Sequence, residues 1–405
     1  YLFSRFDRRD GQLVYALGGV LFFMLNPLVV RYAVLGQPYA LCLVWLFGAF
    51  LLAVRSANQP RFSAVWAGLF CGAAVATSLL TSIVPPVLFY WILRHSERPE
   101  RRKRLLQFAG GIGLGLLPIL ISASRAPRQV WFDVIFYHLK YRQQHVFQGE
   151  NMLGHELKTL TGWIDSSQSS LLFVLALVAV IFFVAGKGKL ENRLGMESRL
   201  SALILICLAP FLCVPRLSQP QYFVLLIPFL SILAASGLYV ISNELGAGKL
   251  SIWLAVATLG LYAVPGAKVA RRQMGEPQTT WTERQEIADL IDREIPRDCP
   301  IFSDDGAIYF VARRLPPSGL ENNYSLLFEV PKPLAELLHV VPEREMNSRV
   351  LRGDFGAVVA WSPAQAESLG LKQLFNNHQV FPEHVVFWDW AGLPPPPCQR
   401  TPNKR

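Results

Sequence analysis

Long apolar runs, punctuated by proline, glycine and short charged turns, fill the first two thirds of the chain. The runs near residues 12–31, 38–54, 64–94, 105–123, 171–185, 201–214, 220–242 and 250–266 have the length that roughly 30 Å of hydrocarbon demands. The run 64–94 is too long for one crossing, since as a single helix it would measure about 45 Å. Pro85-Pro86 supplies a break. Two short or re-entrant helices there bring the prediction to about nine membrane segments. Beyond Gly266 the hydropathy falls and stays low, and the pattern becomes that of a small α/β domain. WTERQEIADLIDREI has helical spacing, CPIFS and GAVVAW read as short strands, SPAQAESLGLKQLF as a helix opened by Ser-Pro, and HVVFWDW as a closing strand. The predicted fold is therefore an α-helical polytopic membrane protein with a small C-terminal α/β extracytoplasmic domain. Its transmembrane domain spans residues 1–266, including an outer loop at 124–169, and its soluble domain spans 267–405.

Composition agrees with the pattern: 52% of the 405 residues are hydrophobic and only 17% are charged, outside the range of ordinary soluble enzymes. The net charge of +10 raises the question of nucleic acid. Residues 1–266 hold 23 Lys and Arg against 11 Asp and Glu, whereas residues 267–405 hold 16 against 18. A nucleic-acid binder concentrates its cations on a water-exposed domain, and this chain places them in short turns between apolar runs. With the amino-terminal turn in the cytoplasm, the inner loops carry 16 basic residues and the outer loops 7. The positive-inside rule favours that orientation, provided 64–94 crosses twice. Loop 124–169 and the carboxy-terminal third then lie outside the cytoplasm.

Four cysteines, Cys42, Cys71, Cys207 and Cys213, sit in apolar runs as small hydrophobes. Cys299 and Cys398, the two in the soluble part, can pair in an oxidising compartment or stay free. Gly68/Gly72 and Gly111/Gly115 have the GxxxG spacing of close helix packing. Asp304-Asp305 suits a helix cap better than a metal or sugar ligand. Asn323-Tyr-Ser is a glycosylation sequon of little weight. No acidic residue lies within the clear apolar runs, which argues against an ion-coupled transporter or flippase.

The order of features resembles a known superfamily. A basic turn (SRFDRRDGQ), an apolar helix closing on proline (FFMLNPLVV), a short outer turn (LGQPYAL) and a glycine-rich pair (WAGLFCGAAVATSLLTSIVPP) come first. A basic loop, GGIGLGLLP, a long outer loop, SQPQYFVLLIPFLSILAASGL and a soluble tail containing DDGAIYFVARRLPPSGLE follow. This series is similar to the membrane GT-C glycosyltransferases that use polyprenyl-phosphate sugars, the protein O-mannosyltransferase and aminoarabinose-transferase group. The resemblance implies an inverting sugar transfer at the outer face of a bacterial cytoplasmic membrane, to an envelope glycan, lipid or protein acceptor. In that group an acid in the first outer loop serves as general base, and cations hold the phosphate as it leaves. By this alignment the first outer loop precedes Tyr1, and a second acid common in the group is replaced by Gln37-Pro38-Tyr39. The reading is of a chain that lacks its amino-terminal segment; a degenerate, non-catalytic assembly protein of the same layout is the alternative.

The stretch YHLKYRQQHVFQGENMLGHELK, Tyr137 to Lys158, gathers the titratable chemistry of the outer loop. Within it Lys140 and Arg142 suit phosphate, while Glu150, Glu156 and His138 suit proton transfer. His138, His145 and His155 are spaced by 7 and 10, which is no ligand pattern, so the cofactor stays unknown with a divalent metal left open. The plainer reading makes this an amphipathic segment on the membrane surface, with Phe136, Tyr137, Tyr141 and Phe147 in the interface. Arg31, Arg216 and Tyr222 end or open apolar runs at the same outer face. Each suits a lipid phosphate, or simply snorkels or joins the interfacial aromatic belt.

Overall fold

The computed structural model describes residues 12–32, 38–58, 64–141, 167–184, 195–213, 219–244, 249–275, 281–321, 329–360 and 363–392, with isolated positions between 154 and 163. The chain divides into two compact units, Tyr1–Val130 with Phe147–Gly275, and Trp131–Val146 with Glu276–Arg405.

Among the described residues of the first unit every regular element is a helix. Its helices are α1 (Gln12–Met24), α2 (Pro27–Tyr32), α3 (Tyr39–Asn58), α4 (Ala64–Thr77), α5 (Val84–His95), α6 (Arg98–Gly115) and α7 (Leu117–Arg125). After the insert come α8 (Ser167–Val184), α9 (Met196–Leu212), α10 (Ile227–Glu244) and α11 (Lys249–Gly275). Among the described residues, Tyr39–Ser56 and Pro220–Ser242 are long and apolar enough to cross a membrane, and α6 with α7, bent by 53° at their junction, passes the same test only as a pair, as a broken span or a re-entrant loop. Pro118 in the first turn of α7 accounts for that bend. Four shorter apolar helices, Ala64–Thr77, Leu79–His95, Gln168–Val184 and Ile252–Lys268, accompany them. The protein is a polytopic helical membrane protein.

The 64–94 run is broken, but not at its prolines. Helix α4 stops at Thr77, a tight 3-10 turn occupies Leu79–Thr81, and Pro85-Pro86 stand in the first turn of α5. Proline is tolerated there because the first N–H groups of a helix have no internal partner.

Glycine decides how closely the helices approach. A β-carbon built on Gly68 or Gly72 would overlap the carbonyl oxygen of Phe108 or Ile112 on α6. Reciprocally, one built on Gly111 or Gly115 would overlap the carbonyl of Val65 or Leu69 on α4. The two backbones therefore touch, as GxxxG spacing predicts. Gly237 of α10 meets the Leu175 carbonyl of α8 in the same way.

Contacts between helix ends fix relative directions. Asn26, just after α1, bonds Tyr262 at the middle of α11, and Gln168 at the start of α8 bonds the Tyr262 carbonyl. At the other ends, Arg104 in the first half of α6 donates to the Ser56 carbonyl at the end of α3 (2.7 Å). Tyr15 near the start of α1 meets Tyr239 in the second half of α10, edge to face.

The second unit carries the sheet. Helix α12 (Trp281–Glu294), β1 (Ile301–Ser303), α13 (Gly306–Val311), α14 (Lys332–Leu338), α15 (Glu343–Leu351), β2 (Ala357–Ala360), α16 (Pro363–Ser368), α17 (Leu371–Leu374), β3 (Phe375–Val380) and β4 (Val385–Trp390) follow in order. The strands lie β1-β2-β4-β3, with β1 parallel to β2 and the other pairs antiparallel. Every residue of β1 and β2 is buried, as expected of strands covered on both faces. One face packs on Ile287, Leu290 and Ile291 of α12, the other on Met346 and Val350 of α15. The helix expected from SPAQAESLGLKQLF is two, divided at Gly370, whose φ of 64° is the left-handed conformation glycine adopts freely.

Asp305 caps α13 by accepting from the Ala307 N–H (2.9 Å). Its other carboxylate oxygen accepts a hydrogen bond from the Arg284 Nε–H at 2.7 Å. His384 Nδ1 lies 3.0 Å from Glu283 Oε1, and the same oxygen accepts from the Glu383 N–H. Glu283, Asp305 and His384 are buried, so the carboxylates and the imidazole form a polar knot joining α12, the α13 cap and the hairpin. Arg314 donates to the carbonyls of Ile295, Pro296 and Cys299, closing the carboxy-terminal end of α12. Burial pushes the Tyr309 phenol well above its ordinary range, although the Ser303 N–H donates to its oxygen.

Residues 132–141 form a wide-turn π-helix belonging to this second unit. Phe132, Phe136 and Tyr137 pack with Leu334, Ala335 and Leu338 of α14 and with Val330 and Val340. The membrane-surface reading of Phe136 and Tyr137 is thus corrected: these rings join a protein core. Hydropathy drew the division between domains at Gly266 and kept the insert with the membrane part, whereas residues 131–141 pack with the carboxy-terminal unit and α11 runs on to Gly275.

Candidate functional site

The described site residues of the first unit gather where α1 stops. Asn26 halts that helix and caps the next: its Oδ1 accepts from the Leu28 N–H at 3.0 Å, and Pro27 opens α2 with the fixed φ a first turn requires. Nδ2 of the same amide donates to the Tyr262 hydroxyl at 3.1 Å, and that hydroxyl donates to the Phe22 carbonyl at 2.6 Å. Gln168 Nε2 closes the set on the Tyr262 carbonyl at 2.9 Å. Asn26, Gln168 and Tyr262 are all buried. In an apolar bundle such a network is tolerated because its members satisfy one another, and it locks the direction in which α2 leaves α1. Gly266 is part of the lock, since a β-carbon there would overlap Gln168 Nε2 and crowd the Leu25 carbonyl.

Helix α2 carries Arg31 on its last turn, exposed, with its guanidinium 5.5 Å from the centre of the Tyr32 ring. The helix packs against the 3-10 helix Pro220–Leu226, which holds Tyr222. Seven residues is long for a 3-10 helix, a form that tends to mark functional hinges. Its cause is local: Pro228 has no N–H to return to Val224, so the Ile227 N–H bonds the Val224 carbonyl instead and the turn stays tight. Tyr222 is buried in this segment, and Trp163 stacks on the neighbouring Phe223 at 4.5 Å with planes 6° apart. Arg31 and Tyr222, proposed separately from sequence, therefore sit on two elements in contact.

The remaining candidates are not brought into that geometry. His138 and Lys140 lie in the 132–141 helix of the second unit, and their side chains fall outside the described residues. Arg142, Glu150, Glu156 and Arg216, with His145 and His155, also lie outside them. Among the described residues no three His, Cys, Asp or Glu side chains converge as a metal site would require. Cys299 is disulfide-bonded, Cys42, Cys71, Cys207 and Cys213 are free, and Cys398 lies outside the described residues.

Sequence reasoning missed the residues that build this end of the unit. Asn26 and Gln168 stand beside apolar runs without a motif around them. The one available signal was Asn-Pro within FFMLNPLVV, a helix stop followed by a helix start.

Comparison with curated proteins and with solved structures finds no match. A family model matches residues 1–215, a stretch that takes in Arg31 and the whole histidine-bearing insert and ends one residue before Arg216. With more than half its length matched, and its helices apolar enough for a bilayer, the chain belongs to glycosyltransferase family 87 and is an integral-membrane glycosyltransferase with a sugar donor and an acceptor.

Proposed function

We propose that the protein transfers a sugar from a polyprenyl-phosphate donor to an envelope glycan, lipid or protein, at the face of the bacterial cytoplasmic membrane turned away from the cytosol. One observation carries the reading. An exposed cation, Arg31, stands on a helix whose exit angle is fixed by a buried hydrogen-bond network, against a tight 3-10 segment that holds Tyr222. A guanidinium at the end of an apolar bundle suits a lipid phosphate, whose chain stays in the bilayer while its charge sits at the interface.

In the proposed step the acceptor hydroxyl oxygen attacks the anomeric carbon, and the bond from that carbon to the phosphate oxygen breaks with inversion. The electron pair leaves on polyprenyl phosphate, which Arg31 steadies; Lys140, Arg142 and Arg216 are the other cations the sequence offers for that role. The hydroxyl proton passes to a carboxylate. Glu150 and Glu156 are the acids of the Tyr137–Lys158 stretch, with His138 as the neutral alternative. The insert's first turns pack on the carboxy-terminal unit, which supports placing both on one side of the membrane.

The test is kinetic. Arg31→Ala is expected to raise KM for a polyprenyl-phosphate sugar by about tenfold to a hundredfold, the value of one charge-assisted hydrogen bond. An unchanged KM would remove Arg31 from the donor site.

A further inference from the structure

Helix α6 carries a stripe the transfer reaction does not use. Arg98, Arg102, Leu106, Gly110 and Leu114 follow one another every fourth residue and so lie along one face. The first two are cations and the rest are apolar. Open grooves run along both flanks. One, of about 860 Å³, lies toward Val65 of α4 and is lined by Arg102, Lys103, Leu106, Gly110 and Leu114. The other, of about 370 Å³, lies toward Phe89 of α5 and is lined by Arg98, Arg101, Arg102, Leu105 and Leu106. Arg102 and Leu106 border both, and Leu106 stands exposed as the ridge between them.

We infer that this face of α6 is a binding site for one anionic phospholipid, its phosphodiester held by Arg98, Arg102 and Lys103 and an acyl chain in each groove. Charge favours an anion. Between Arg94 and Arg104 six cations face two carboxylates, Glu97 and Glu100, and Glu100 lies 3.5 Å from the buried Arg104 Nε. Arg104 is itself tied to the Ser56 carbonyl, so the exposed cations are those of the stripe and its flanks. Length favours a lipid over a free anion. The apolar part from Leu106 to Leu114 rises about 12 Å, close to the roughly 15 Å depth of one leaflet of hydrocarbon. Basic clefts between membrane helices are a recurrent way of holding acidic headgroups.

Gly110 adds a second, independent observation. Its neighbours in sequence, Gly111 and Gly115, are needed for the α4 contact, yet a β-carbon at Gly110 meets nothing within 4 Å. Close packing does not explain this glycine; the missing side chain leaves the larger groove open. The site is distinct from the Arg31 end, because α6 presents its basic turns beside the end of α3.

The experiment is native mass spectrometry of the full-length protein in detergent, titrated with dioleoylphosphatidylglycerol or dioleoylphosphatidylcholine. One phosphatidylglycerol is expected to bind at least tenfold more tightly than phosphatidylcholine. R102E/K103E is expected to abolish that preference. G110L puts a side chain into the groove at a position where a β-carbon meets nothing within 4 Å, and is expected to weaken both lipids severalfold while leaving thermal stability intact. Equal affinity for the two lipids, a preference that survives R102E/K103E, or unchanged binding in G110L overturns the assignment.

Discussion

Gly68 and Gly111 face each other so closely that a β-carbon on Gly111 would stand 3.0 Å from the Gly68 Cα and would overlap the Val65 carbonyl. The adjacent Gly110 has open space in the same position. Two neighbouring glycines on α6 therefore make opposite predictions. Gly111→Ala overpacks backbone against backbone and is expected to cost about 1 to 3 kcal/mol. Gly110→Ala only gains helix propensity and is expected to stabilise by up to about 1 kcal/mol. Thermal unfolding of both variants in one detergent checks the sign, and equal effects would refute the close α4–α6 contact.

The polar knot of the carboxy-terminal unit is expected to be costly to break from one side. Glu283→Ala removes the acceptor shared by His384 and the Glu383 N–H inside a buried knot. The expected cost is about 1 to 3 kcal/mol, that of burying polar groups deprived of their hydrogen-bond acceptor. Hydrogen exchange of the intact protein reads it directly: amides of Val385–Trp390 should lose protection while α10 keeps its own. Unchanged exchange in β4 would show that the knot is not holding the hairpin.

Four cysteines are free and Cys299 is not. The sixth, Cys398, is the expected partner. Peptide mapping without reductant should recover Cys299 linked to Cys398, and alkylation of the denatured, unreduced protein should count four thiols. Six labelled thiols would contradict both the bond and the oxidising compartment it implies.

The membrane fold was legible because lipid imposes a coarse rule: apolar runs of sufficient length, read against basic turns. The glycine pairs were legible for the same reason, since i, i+4 spacing survives in any helix. What escaped is what depends on partners far away in sequence. Pro85-Pro86 open a helix and do not separate two, because the preceding turn at Leu79–Thr81 had already broken the chain. Strand β3 was missed because FNNHQV is an exposed edge with no apolar alternation. Phe136 and Tyr137 read as interfacial aromatics because nothing near them in sequence announces Leu334 or Leu338. At the candidate site, Arg31 and Tyr222 were legible as charges and hydroxyls at helix ends. The network of Asn26, Gln168 and Tyr262 that orients α2 was not, as it joins positions up to 236 residues apart.

The most direct measurement is sugar transfer by the full-length protein in lipid vesicles, offered radiolabelled polyprenyl-phosphate sugars with envelope acceptors. The account predicts labelled product of inverted configuration from a lipid-phosphate donor, with little from the matching nucleotide sugar. Transfer from the nucleotide sugar, with none from any lipid-phosphate sugar, would contradict it.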